Sequence, residues 1–290
     1  EEADCYECFF GFAGMPKLNT GNEKVQEYLL NVLEYWVREV QVDGYRFDVI
    51  DEIDENFVLK IRDRLKRLNP ELVLIGETWA EGKRLLNGCE MDSIRNYSFR
   101  QAVLDFFAER SINAETFGHR LETALSRHPD ETNMAMFNAL DTHDTKRFIN
   151  SCGHRLDSFK LGVVVQMMFP GSPSIYYGDE AGIDGENDPD CRKCMTWQEN
   201  PGEKESFRFY QRLIQFRKKH SAIRNGSFTT VLADGRVYGF ARENEKEIIE
   251  IFVNDGNDAV EITVENARSI LIPKGNFYIV CRKNGEIIEE

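Results

Sequence analysis

The apolar and polar positions of this chain alternate between two periods. Over residues 25–40, Val25, Tyr28, Leu29, Val32, Leu33 and Trp36 recur at spacings of three and four, which predicts an amphipathic helix. Asn22 stands where an N-cap is needed, and Glu23 falls in the first turn, where the helix dipole favours an acid. A short strand-like run follows, Val42-Asp43-Gly44-Tyr45-Arg46-Phe47-Asp48-Val49-Ile50. Residues 56–68 read as a second helix, stopped by Asn69-Pro70. Leu72-Val73-Leu74-Ile75-Gly76 is continuously apolar, as a parallel strand buried on both faces would be.

The alternation continues. A weaker strand is predicted over 91–97, helices from there to about Ser126, and a strand over 134–140. Residues 157–169 read as a helix, 173–178 as a strand and 203–220 as a charged amphipathic helix. Repeated strand–helix units predict a parallel α/β sheet or barrel. Beyond about Ser227 the pattern changes to short β-type runs at 228–232, 237–241, 248–253, 259–264 and 277–281. Asp234-Gly235, Asp255-Gly256 and Asn284-Gly285 supply turns between or after them. A small antiparallel β domain is expected there, which divides the chain into 1–224 and 225–290.

Composition narrows the class. The chain has 290 residues, 41% apolar and 30% charged, a mixture that suits a globular protein. Its net charge of −14 argues against non-specific nucleic-acid binding, and no run of about 18 apolar residues predicts a membrane span. The chain opens Glu1-Glu2-Ala3-Asp4, with no Met, no basic region and no apolar region, so no signal peptide is expected. It reads instead as the middle of something, an excised or processed portion. The seven cysteines, at 5, 8, 89, 152, 191, 194 and 281, are odd in number and irregular in spacing. That makes a poor disulfide framework and suggests a reducing, cytoplasmic setting. Cys5/Cys8 and Cys191/Cys194 have the C-x-x-C spacing of zinc knuckles. The two pairs are far apart in the chain, so ordinary thiols are the reading and no metal is expected.

Three acids sit where strands should end: Asp48, Glu77 and Asp144. Parallel α/β architectures carry their chemistry at the carboxyl ends of strands. Any one of these acids could simply cap the next helix, but each has a polar or aromatic companion. Arg46 is two residues before Asp48, so both side chains point the same way, and a cation there favours an ionised carboxylate. His143 precedes Asp144. Trp79 follows Glu77 by two, and an aromatic beside paired carboxylates suits a sugar ring. Glycoside hydrolysis needs two acids of different role, one ionised and one protonated. A Ser/His/Asp site is weaker, since there is no G-x-S-x-G elbow, and neither G-x-G-x-x-G nor a Walker A loop is present. His143 and Asp144 lack a second ligand pair at metal spacing.

At this point the residues resemble a known family. Asp43-Gly44-Tyr45-Arg46-Phe47-Asp48 is similar to the second conserved segment of the α-amylase superfamily, glycoside hydrolase family 13. Gly76-Glu77-Thr78-Trp79 resembles the third segment and Leu140-Asp141-Thr142-His143-Asp144-Thr145 the fourth. Met15-Pro16-Lys17-Leu18-Asn19 resembles the fifth in its neopullulanase and cyclomaltodextrinase form. Gly171-Ser172-Pro173 through Gly178-Asp179-Glu180-Ala181-Gly182 is similar to the eighth barrel strand and its loop, and Asn187-Asp188-Pro189-Asp190-Cys191-Arg192 to the same subfamily.

The resemblance implies roles and a fold. Asp48 would be the nucleophile, Glu77 the general acid and then base, and Asp144 the group that stabilises the oxocarbenium-like transition state. Arg46 and His143 would assist at the reacting glucose. Glu52, Trp79, Asp188 and Arg192 would contact the oligosaccharide, and residues 15–19 would shape specificity. Configuration would be retained, with the carboxyl groups about 5 Å apart. The implied substrates are α-1,4-linked maltooligosaccharides, cyclodextrins or pullulan, with no cofactor. Expected partners are the α-glucan and a second copy in a homodimer, with no nucleic acid and no membrane.

Departures from the family pattern are Asp141 (usually Gly), Asp51 (usually Asn) and Cys194 (usually Pro). The first two would lie near substrate. The family's first segment, with its calcium-linked Asn, has no counterpart, so no calcium site of that kind is expected. A closed barrel needs eight strands, and residues 42–224 hold about five strand–helix units. The expected fold is therefore a partial (β/α)8 barrel, its last five units, followed by an antiparallel β-sandwich. The portion alone would be inactive. Rival readings are a transglycosylase or glucosyl isomerase on the same site, and a carbohydrate-binding homologue without catalysis.

Overall fold

A computed structural model describes residues 6–197, 204–264, 268–283 and 286–289 of the chain. The expected Asn284-Gly285 turn and Cys5 lie outside the described residues. Two compact units are present, Glu1–Arg95 and Asn96–Glu290.

In the first unit, helix α1 (Glu23–Tyr35) starts where Asn22 caps it, its side chain accepting from the amides of Lys24 and Val25. The helix widens into a π turn, Trp36–Val40, and stops at Gln41 in the left-handed region. Strand β1 (Gly44–Phe47) leads to helix α2 (Glu55–Leu68), capped by Asp54. Phe57, Val58, Ile61 and Leu65 of α2 are buried, each worth roughly 1.5–3 kcal/mol of apolar transfer. Strands β2 (Val73–Gly76) and β3 (Ser93–Ile94) complete a parallel sheet of order β1-β2-β3. The register pairs Phe47 with Gly76 and Gly76 with Ile94, so the three strands end side by side. Gly44 has to be glycine, because a Cβ there would stand 2.2 Å from the Val73 carbonyl oxygen.

In the second unit, α3 (Tyr97–Val103), α4 (Ala114–Ser126) and α5 (Asp130–Ala135) precede β4 (Phe137–Ala139). Next come α6 (Phe148–Ser151), α7 (Leu156–Met168) and β5 (Ser172–Ser174), which pairs parallel with β4. Helices α8 (Glu205–Lys219) and α9 (Ser221–Asn225) lead into strands β6 to β12. These are Ser227–Asp234, Val237–Asn244, Glu247–Asn254, Val260–Val264, Arg268–Ile272, Asn276–Lys283 and Glu286–Glu289. Five of them form an antiparallel sheet of order β12-β11-β8-β7-β6, and β9-β10 is a separate hairpin. One face of the large sheet shares a core with the helices through Phe117, Tyr238, Phe240, Ile251 and Cys281. The other is covered by the hairpin, where Ile262, Val264, Ile270 and Ile272 meet Phe252 and Val280.

Several expected strands are shorter in the structure. Met134 and Ala135 belong to α5, because the Asn133 side chain donates to the carbonyls of Leu125 and His128 and holds that turn helical. The 91–97 run shrinks to β3, since Asn96 turns away to cap α3. Past Ser174, the buried Arg147 takes hold of the chain through the Tyr177 carbonyl at 2.6 Å and stacks over the Tyr176 ring. Strand β10 and helix α9 were not expected, being five residues each with little room for a period to show.

Helix α7 is buried on all sides from Leu161 to Met168, and its C-terminal carbonyls are the negative pole of its dipole. Arg217 donates to Met167 O at 2.8 Å and Arg242 to Met168 O at 2.7 Å. Burial lowers both guanidiniums, to about 10 for Arg217 and about 9 for Arg242. One buried and one half-buried cation thus meet at one helix end, tying α8 and β7 to α7.

Candidate active site

The sequence-predicted residues fall into two groups, one in each unit. In the first, the backbone ladder runs one step past the strands: Glu77 N donates to Phe47 O at 2.9 Å and Ile50 N to Glu77 O at 3.1 Å. Asp48 and Glu77 therefore occupy matching positions just beyond β1 and β2, with strands about 4.8 Å apart. Gly76 permits this packing, since a Cβ there would come to 3.0 Å from the Ile50 side chain. Val49, next to Asp48, is held at φ 41°, a conformation a β-branched residue rarely adopts.

Arg46 reaches both acids. One guanidinium nitrogen pairs with Asp48 Oδ1, and the other with Glu77 Oε2 at 2.6 Å. Glu77 is buried, whereas the Asp48 side chain is 73% exposed. A third residue, Arg95, approaches the remaining oxygen, Glu77 Oε1, at 3.4 Å. Glu52 stands apart from this cluster, paired with Lys17 at 3.0 Å. That contact ties the 15–19 segment to the loop after β1. Trp79 is more than half exposed, two residues beyond Glu77.

In the second unit, the loop after β4 and the segment carrying Asp188 and Arg192 come together. His143 Nε2 lies 3.0 Å from Asp144 Oδ2, and Arg192 Nη2 lies 3.2 Å from Asp144 Oδ1. The Arg192 Nε pairs with Asp188 Oδ1 at 2.7 Å and also donates to His143 O at 3.0 Å. Thr142 and Thr145 set the turn: Thr142 N donates to Thr145 Oγ1, and Asp144 N to Thr142 Oγ1.

Asp141, expected near substrate, is buried. It accepts from Phe148 N at 2.7 Å and pairs with Asp179, which accepts from Arg147 at 2.9 Å. Burial pushes both carboxyls up, and Asp179 further because Asp141 lies beside it. Asp51 is exposed, 3.9 Å from Arg84. Cys191 is buried with its thiol on His143 O, and Cys194 is exposed. Among the described residues, no three His, Cys, Asp or Glu side chains gather in a way that could hold a metal ion.

Sequence reading missed Arg95, the Lys17–Glu52 pair and the Asp141–Asp179–Arg147 cluster. Arg95 follows a two-residue strand with a faint pattern, and nothing local marks it. The Arg147 cluster joins residues more than thirty positions apart.

Residues 1–203 match the family described as alpha amylase, catalytic domain. The chain belongs to the alpha-amylase family. Among curated members, the cyclomaltodextrinase of Thermoanaerobacter pseudethanolicus is 45% identical over 243 residues, covering 84% of this chain and 42% of that protein. Neopullulanase 2 of Thermoactinomyces vulgaris is 38% identical over 275 residues, 94% of this chain and 46% of that protein. A solved cyclomaltodextrinase superposes with a TM-score of 0.88 at 36% identity, covering 94% of this chain and 50% of that one. This chain therefore spans about half the length of the relatives it matches. Its fold is that of the alpha-amylase family, barrel strands and helices followed by a C-terminal sheet domain.

Proposed function

We propose that the complete protein is a retaining hydrolase of α-1,4-glucans, acting on maltooligosaccharides, cyclodextrins or pullulan through a covalent glycosyl-enzyme. The observation that carries this reading is the Arg46 guanidinium held between two strand-end carboxylates, Asp48 and Glu77. Two acids within reach of one guanidinium support the short carboxyl separation of a retaining site. The named relatives, a cyclomaltodextrinase and a neopullulanase, supply the substrate class.

In this reading Asp48, open to solvent, attacks the anomeric carbon while Glu77 protonates the departing glycosidic oxygen. Glu77 then takes a proton from water, whose oxygen displaces Asp48. Asp144, oriented by His143 and Arg192, stabilises the cationic transition state. Arg46 and His143 serve the reacting glucose, and Glu52, Trp79, Asp188 and Arg192 contact the rest of the glucan. Residues 1–224 supply the last five barrel units and 225–290 the β domain. Two features support units upstream: β1 pairs only with β2 among the described residues, and α1 leaves Tyr28, Val32, Tyr35 and Trp36 exposed. The 290 residues alone are then inactive. Six described cysteines are free thiols, which favours the cytoplasm. A homodimer remains part of the reading.

The test is hydrolysis of maltooligosaccharides by the complete protein and its variants. Asp48→Asn and Glu77→Gln are each expected to lose at least about 100-fold in kcat/KM. Near-normal activity in either would overturn its assigned role.

A further inference from the structure

We propose that Arg95 is a positioning residue for Glu77, one that fixes the working carboxyl and steadies the anion formed when it gives up its proton. The inference rests on the function proposed above and adds a residue to it. Nothing in the local sequence singles out Arg95. Its place follows from the sheet: Gly76 pairs with Ile94, so Arg95 and Glu77 come one step later on adjacent strands, on the edge where Asp48 also lies. The Arg95 amide donates to Gly76 O at 3.4 Å, which anchors its backbone beside β2.

The geometry divides the two oxygens of Glu77 between two cations. Oε2 is held at 2.6 Å by Arg46, whose other nitrogen is occupied by Asp48. Oε1 has the looser contact, 3.4 Å from Arg95 Nη1. A carboxyl clasped tightly on one side and loosely on the other has one oxygen free to turn to a leaving group. The Arg95 side chain is 19% exposed and Glu77 is buried, so water screens this pair only in part.

The consequence follows through both chemical steps. In the first, the C1–O glycosidic bond breaks with its electron pair going to oxygen, Asp48 bonds to C1, and the Glu77 proton moves to that oxygen. Glu77 becomes an anion beside Arg95, which favours this step. In the second, water gives its proton to Glu77 and its oxygen to C1, and the C1–Asp48 electrons return to Asp48. Here the cation resists protonation of the base. Arg95 therefore matters most where proton donation limits the rate, with substrates whose leaving group is a sugar hydroxyl.

The experiment uses the complete protein with Arg95→Met, which keeps length and removes charge, and Arg95→Lys, which keeps charge. Substrates are maltotriose and α-maltosyl fluoride, whose leaving fluoride needs less help from an acid. For Arg95→Met, kcat on maltotriose should fall about 10-fold, with KM changed less than about threefold. The alkaline limb of its kcat/KM profile should move to higher pH, because a nearby cation favours the ionised form of an acid. Activity on the fluoride should fall less than about threefold, and Arg95→Lys should restore the wild-type limb. Equal losses on both substrates, or an unmoved alkaline limb in a folded Arg95→Met protein, would overturn the proposal. If Glu77→Gln leaves maltotriose hydrolysis intact, the functional reading fails instead. Circular dichroism of each variant separates either result from misfolding.

Discussion

Val49 is a β-branched residue held in the left-handed region directly after Asp48. Such a conformation costs on the order of 1–3 kcal/mol and persists where the surroundings impose it. Here the hydrogen bonds from Glu77 N to Phe47 O and from Ile50 N to Glu77 O impose it. Asn tolerates this region better, so Val49→Asn should raise the thermal midpoint, with a gain of about 1 kcal/mol. A lower midpoint would mean that the Val49 side chain contributes more than its strain. A second residue-scale expectation concerns Glu247. Burial pushes its carboxyl up, but His220 at 2.8 Å, the Ala222 amide and Lys283 outweigh this and bring it down from 4.5 to about 2. Its contribution, roughly 3 kcal/mol, is complete above pH 4.5 and is lost as pH falls toward 2. Denaturant titrations at pH 7, 4 and 3 should show a steeper acid loss in wild type than in Glu247→Gln. Parallel losses would remove Glu247 as the cause. The acids at strand ends were legible because an acid closing an apolar run is conspicuous. Arg95 and Lys17 were not, since their partners come from distant chain segments.

At the scale of elements, the sequence period located the long helices and the change to β structure near residue 227. It overestimated the strands at 42–50, 91–97, 134–140 and 173–178. Each was cut short by a side chain or a conformation with a tertiary reason: Val49 turning left-handed, Asn96 capping α3, Asn133 holding α5, and Arg147 seizing the chain at Tyr177. Helix α7 shows how a β strand and a helix are fastened together. Arg242 is fully buried and donates to Met168 O, Gly226 O and Ser227 O. Replacing it with Met leaves three carbonyls without that donor, two of them in buried contacts, and each buried orphan costs about 1–3 kcal/mol. Arg242→Met should therefore lose about 3 kcal/mol or more in urea unfolding at neutral pH. A loss below about 1 kcal/mol would show that those carbonyls find other donors.

On the scale of the whole molecule, α1 and its π turn carry an exposed apolar face. Tyr28, Val32, Tyr35, Trp36 and Val40 recur at helical spacing, and all are exposed. The same periodicity made the helix legible in the sequence but predicted a buried face. A stripe of this kind, beside a β1 edge with no pairing strand among the described residues, invites association. The 290-residue polypeptide alone should form oligomers by light scattering, and the double variant Val32→Ser, Trp36→Gln should shift it toward monomer. If upstream units cover that face in the complete protein, as proposed, the same double variant should lower stability there. A monodisperse monomer of the unaltered 290 residues would argue against a missing partner for α1.

In the proposed mechanism Asp48 is the nucleophile and Glu77 its proton partner. In the complete protein, Glu77→Gln removes the base needed to release the glycosyl-enzyme, while α-maltosyl fluoride can form that species with little help from an acid. Intact-mass and peptide mass spectrometry of this variant after reaction with α-maltosyl fluoride should find a maltosyl group bonded to Asp48. A maltosyl group on another residue, or turnover of the fluoride with no adduct and an inverted product, would contradict it.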